Sequence, residues 1–139
     1  MTQDQKKVLV VDDDTDFIEA ATVALQAKGY QVLTALDSKA GVELARRERP
    51  DLIICDLMME RLYSGFSVVE ELGGYEETRG IPIIMVSAVT TDTGFRIDEH
   101  GEKPAWLRAV QFINKPINPI DLAEKVESIL SGPSEDQDR

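Results

Sequence analysis

Apolar and polar positions follow two different rhythms along this chain. Continuous apolar runs rich in β-branched residues occur at 7–11 (KVLVV), 51–55 (DLIIC) and 81–86 (IPIIMV). Such runs predict strands covered on both faces. Pro82 stands near the start of the third, where proline is tolerated. The runs at 30–35 (YQVLTA) and 110–113 (VQFI) are shorter and more alternating, which predicts strands nearer the sheet edges.

A helical period fills the gaps. In 15–28, Phe17, Ala21, Ala24 and Leu25 share a face, and Gly29 is placed to stop the helix. In 38–48, Ala40, Leu44 and Ala45 share a face, with Ser38 as a candidate cap and Pro50 beyond the end. A weaker helix is expected over 66–74, carrying Val68, Val69 and Leu72. The last helix has the clearest punctuation: Asn118 to cap it, Pro119 in its first turn, a stripe of Leu122, Val126, Ile129 and Leu130, then Gly132-Pro133. Between 88 and 109, Gly94, Gly101 and Pro104 interrupt any long helix, so an irregular loop with a short helix near 104–109 is expected. The order β-α-β-α-β-α-β-(α)-β-α implies a parallel sheet with helices on both faces. Right-handed crossovers favour the doubly wound, flavodoxin-like α/β fold with strand order 2-1-3-4-5.

Composition narrows the partners. The chain has 139 residues, 42% hydrophobic, enough for one globular domain with a real core. The expected division is a disordered 1–5, a folded domain over 6–131 and a disordered acidic tail at 132–139. A net charge of −11 speaks against direct nucleic-acid binding, which needs a basic surface, and favours a divalent cation or a basic partner. Cys55 is the only cysteine, so no intrachain disulfide forms; it reads as a small core residue. No apolar run approaches the ~20 residues of a membrane span, and MTQDQKK is not a signal peptide. A cytoplasmic protein away from the membrane is the expectation.

In open parallel sheets, ligands bind beyond the carboxyl ends of the strands. The expected ends carry Asp12 and Asp13, Asp56, Ser87 and Lys115. Three carboxylates converging on one crevice call for a cation, and a hard divalent ion such as Mg2+ takes oxygen ligands. A lysine and a serine beside them can hold an oxyanion. A carboxylate between metal and lysine can attack phosphorus and become an aspartyl-phosphate, and Asp56 is best placed to do so. Asp14 and Asp16 fall at the opening of the first helix: Asp14 can cap it, and Asp16 with Glu19 has capping-box-like spacing.

The segments VLVVDDD, DLIICDLMM, IPIIMVSA and FINKP, in that order and with 43 positions from Asp13 to Asp56, resemble the receiver domain of two-component response regulators over most of 6–131. The resemblance implies that Asp56 is the phosphoacceptor, taking a phosphoryl group from a sensor histidine kinase or a histidine phosphotransfer protein. It implies Asp13 as a Mg2+ ligand, Asp12 holding a metal-bound water, and the backbone carbonyl of Met58 as a further ligand. Ser87 would bind a phosphoryl oxygen and reposition. Lys115 would pair with Asp56 before the reaction and with the phosphoryl group after it. The Lys115-Pro116 bond would be cis, and Phe112 would be the switch aromatic. The implied protein is a stand-alone signalling module, not an enzyme beyond its own phosphorylation and dephosphorylation, with output through an unknown protein partner.

The sequence departs from the family pattern twice. Glu60 stands where the family usually has proline, and Gly65 comes one residue late. Glu60 is then either a solvated loop residue or a further acid tuning the site. Ser87 and Lys115 are 28 positions apart, several more than usual, and KPAWLRAVQF replaces the small-residue turn before the last strand. That segment is either a remodelled output face or a tolerated insertion. Trp106 falls in it, as a partner contact or a lid. His100 lies there too and reads as structural or neutral. Two other functions compete. One is a degenerate receiver serving as a constitutive scaffold. The other is a haloacid-dehalogenase-type phosphatase with Asp12 as nucleophile and Asp14 as acid/base, which lacks the late acidic pair and the cap domain of that class.

Overall fold

A computed structural model gives the architecture. It describes residues 5–57, 59, 64–87 and 110–131. The expected loop and short helix of 88–109, Met58, Glu60, His100, Trp106 and the two termini lie outside the described residues.

Five strands and four helices are described, in the order β1 (Lys7–Val11), α1 (Thr15–Ala27), β2 (Gln31–Ala35), α2 (Ser38–Glu48), β3 (Leu52–Asp56), α3 (Ser64–Gly73), β4 (Ile83–Ser87), β5 (Val110–Asn114) and α4 (Pro119–Ser131). All strand pairs are parallel, in the order β2-β1-β3-β4-β5. The two alternating strands are indeed the edges. β1, β3 and β4 are buried on both sides, which is why their sequences are apolar without interruption.

Side-chain alternation sorts the core into two layers. Leu9, Val11, Ile53, Cys55, Ile83 and Met85 point to the side covered by α2 and α3. Val8, Val10, Leu52, Ile54, Ile84 and Val86 point to the side covered by α1 and α4. From α1, Ala21 and Leu25 are buried; from α4, Leu122, Ala123 and Val126. Gly41 lets α2 lie close to β1: a Cβ there would meet both methyl groups of Val11 at 2.9 Å. Cys55 is buried in the α2/α3 layer, as expected of a small core residue.

Several local expectations shift by a residue or two. Strand β4 begins at Ile83, and Pro82 contributes only its carbonyl, which accepts from Ile53 N–H at 3.0 Å. The cap of α2 is Asp37 and not Ser38: its backbone is extended and its carboxylate accepts from Ala40 N–H at 2.8 Å. Asn118 does cap α4, accepting from Ile120 N–H at 2.7 Å. Gly29 follows α1 at φ +95°, a conformation that costs glycine little.

At the periphery, Arg46 on α2 stacks over the Tyr75 ring at 3.7 Å and donates to Glu77 at 2.7 Å, tying α2 to the turn after α3. The hydrogen bond from Arg46 is the main reason the Glu77 carboxyl titrates below its ordinary value. A lowered folded pKa stabilises above the unfolded value, and the benefit disappears as pH falls through the lowered one. Wild type is therefore expected to be slightly more stable than Glu77→Gln at neutral pH, with the gap closing in acid. Urea unfolding of both proteins from pH 7 down to pH 3 checks this. The Asp37→Ala variant is expected to lose about 1 kcal/mol in the same assay.

Candidate metal and phosphoryl site

The crevice follows from the register. Strands β1 and β3 are neighbours, with Val11 opposite Cys55. One step further along each chain stands an aspartate. The ladder continues past the strands on their outer sides: Asp12 N–H donates to Ala35 C=O at 3.0 Å, and Leu57 N–H donates to Val86 C=O at 2.9 Å. Both backbones are thus fixed where their carboxylates emerge. Adjacent strands lie ~4.8 Å apart, so two acids at matched positions are necessarily crowded.

Asp13 completes the group. One oxygen from each of Asp12, Asp13 and Asp56 falls within 4.8 Å of the others. Asp12 and Asp56 are buried, at 1% and 6% exposure, while Asp13 is open to solvent. Asp12 is held at both ends: Oδ1 accepts from Asp14 N–H at 2.9 Å, and Oδ2 accepts from Lys115 Nζ at 3.0 Å. Asp14 turns away to cap α1, accepting from Asp16 N–H at 3.0 Å and Phe17 N–H at 3.2 Å. The capping acid is therefore Asp14, and Asp16 is an exposed first-turn acid favoured by the helix dipole.

Lys115 follows β5, and its bond to Pro116 is cis, as the resemblance implied. The ammonium lies 3.0 Å from Asp12 and 3.7 Å from Asp56. Its hydrogen bond in this structure is to Asp12; the Asp56 separation is an ion pair beyond hydrogen-bond length. Burial is the largest influence on its pKa and pulls it down. The hydrogen bond to Asp12 and the attraction of Asp12, Asp56 and Asp14 together outweigh burial and raise it, so the lysine is charged.

Three carboxylates against one ammonium leave a formal charge of −2 in the crevice. The donor atoms are all carboxylate oxygens, the set that hard divalent cations prefer. Charge and chemistry of the residues present thus fit a divalent ion. Of the other expected site residues, Ser87 ends β4 and is registered with Asn114, and Phe112 on β5 is registered with Met85. The side chains of Ser87 and Phe112, and the whole of Met58, lie outside the described residues.

A family model for the response regulator receiver domain matches residues 8–127, spanning all these positions. This chain belongs to that family. The receiver is 32% identical over 126 residues to Protein PilH of Pseudomonas aeruginosa, covering 91% of this chain and 98% of PilH. It is 32% identical over 127 residues to the alkaline phosphatase synthesis transcriptional regulatory protein PhoP of Bacillus subtilis, covering 90% of this chain and 48% of that one. The chain spans about half the length of several curated relatives it matches. Among solved structures, the chemotaxis response regulator CheY4 of Vibrio cholerae superposes with a TM-score of 0.73 at 28% identity, covering 88% of this chain and 97% of that one. A CheY-like receiver from Methanospirillum hungatei gives 0.72 at 25% identity, covering 91% and 94%. Receivers act in two-component signalling with histidine kinases and downstream effectors. No helix among the described residues is long and apolar enough to cross a membrane.

The periodicity of α1 identified Phe17 only as a core-facing residue, yet its ring also faces the Lys115 ammonium at 4.7 Å. A phenylalanine in the first turn of a helix that opens at the strand ends was the available signal. The division of the acids is directly testable. The Asp13→Asn receiver is expected to bind Mg2+ at least about tenfold more weakly than wild type, and Asp16→Asn within about twofold of it. Isothermal titration with MgCl2 measures both, and equal losses would undo the division.

Proposed function

We infer that the protein is a phosphoacceptor receiver that takes a phosphoryl group onto Asp56 from the histidine of a partner kinase or phosphotransfer protein. The observation that carries this reading is the placement of Asp56: buried at a strand end, grouped with Asp12 and Asp13, and ion-paired with Lys115.

An Asp56 carboxylate oxygen forms the new bond to phosphorus, while the phosphorus–nitrogen bond of the phosphohistidine breaks and its electron pair returns to the ring nitrogen. Lys115 is positioned to neutralise charge on the phosphoryl oxygens, and its ammonium already stands in ion-pair range of Asp56 at 3.7 Å. Asp13, being exposed, and Asp56 would hold Mg2+ directly together with the Met58 carbonyl. Asp12, with both oxygens engaged by protein donors, would hold a metal-bound water. Bound Mg2+ supplies charge neutralisation that lets carboxylate and phosphoryl oxygens approach. Ser87 is assigned a phosphoryl oxygen, and Phe112 the switch. Output passes through a protein partner in the cytoplasm, with no direct contact to nucleic acid or membrane. The folded receiver is assigned to 6–131.

Acetyl phosphate with Mg2+ provides the test. Mass spectrometry is expected to find one phosphoryl adduct on wild type, absent from Asp56→Asn and present at a reduced rate in Asp12→Asn. Loss only in Asp12→Asn would favour the phosphatase reading, and an unmodified wild type would leave the scaffold.

A further inference from the structure

Lys115 is the only described cation in the crevice, and the accuracy of its placement sets how it meets an incoming oxyanion. A lysine ammonium ends a flexible four-carbon stem and is not oriented by its own geometry, unlike a guanidinium. Something around it must fix its position relative to Asp56. Asp56 itself is 3.7 Å away, past hydrogen-bond length. Asp12 supplies one anchor at 3.0 Å. Another described neighbour is not a polar group: the Phe17 ring lies with its centroid 4.7 Å from Nζ.

That distance is inside the ~6 Å range over which an aromatic face attracts a cation. The ammonium side chain is only 18% exposed, so this attraction is weakly screened by solvent. The ring is itself well fixed. Its backbone N–H donates to the capping carboxylate of Asp14, which holds residue 17 in the first turn of α1. Its side chain is half-buried and packs on the core layer under α1 and α4. Thus the acid next to the carboxylate cluster, by starting the helix, also places the ring against the lysine.

We propose that Phe17 is a positioning residue for phosphoryl transfer: its ring face and the Asp12 carboxylate together hold the Lys115 ammonium within ion-pair reach of Asp56 without a hydrogen bond to it. This rests on the phosphoacceptor reading. The chemistry asked of residue 17 is specific. Leucine fills much of the same space but has no negative face, whereas tyrosine keeps the face.

Two measurements test this on the full chain. The first is the rate of Asp56 modification by acetyl phosphate with Mg2+. Phe17→Leu is expected to slow it roughly three- to tenfold, the range of a partly desolvated cation–π contact, while Phe17→Tyr stays within about twofold of wild type. Replacing Phe17 alone with mono-, di- and trifluorophenylalanine, which keep the ring's shape and weaken its negative face, is expected to slow the reaction stepwise. A rate independent of fluorination, or Phe17→Leu matching wild type, overturns the proposal. The second needs no phosphoryl chemistry: the ammonium protons of Lys115, observed by 15N-edited NMR, are expected to be ring-shifted upfield in wild type and Phe17→Tyr but not in Phe17→Leu. Identical shifts in all three overturn it. A wild type that fails to react while its lysine signal is ring-shifted counts against the phosphoacceptor reading and leaves the placement by Phe17 supported.

Discussion

Crowded negative charge at the ends of two neighbouring strands governs this molecule. Parallel pairing in register brings Asp12 and Asp56 side by side, and Asp13 adds a third carboxylate from the next residue. Like charges at this spacing disfavour the ionised forms unless something opposes them. Lys115 opposes them in part, by a hydrogen bond to Asp12 and an ion pair to Asp56. The remaining excess, carried by carboxylate oxygens alone, fits the crevice to a hard divalent cation.

The scaffold's task is to hold that arrangement against its own repulsion. Ladder hydrogen bonds extend one residue beyond β1 and β3 on the side away from the cluster, so the acids sit on fixed backbone. Beneath them, β1, β3 and β4 are buried on both faces between two helix layers. Close-packed interiors yield little to local strain. The acids of the DDDTD segment divide between two tasks because the chain changes direction there: Asp12 and Asp13 follow the end of β1, whereas Asp14 caps α1 and Asp16 lies in its first turn.

Most of the architecture was legible because its signals are strong and local. Continuous apolar runs marked the doubly covered strands, alternation marked the edges, and the order of elements left few topologies. The errors were of reach. Ser38 looked like the cap of α2, but the extended backbone at residue 37 lets the Asp37 carboxylate reach Ala40 N–H instead. The pairing of Lys115 with Asp56 is present as an ion pair at 3.7 Å, but the hydrogen bond to Asp12 at 3.0 Å, which depends on how the side chain reaches back from the end of β5, had no signal in the sequence. Phe17 satisfied a helical periodicity, which says which face is buried but not which charged group the ring will meet.

On this reading the carboxylates of Asp12, Asp13 and Asp56 repel one another until a divalent cation joins them. Thermal unfolding of wild type and Asp13→Asn, each with EDTA and with saturating MgCl2, tests it most directly. Without the metal, Asp13→Asn is expected to unfold at the higher temperature, because one of the crowded charges is gone. With Mg2+ the order should reverse, since wild type gains the ligand-linked stability that the variant cannot. An Asp13→Asn receiver that is no more stable than wild type in EDTA would show that the three carboxylates do not destabilise the metal-free fold.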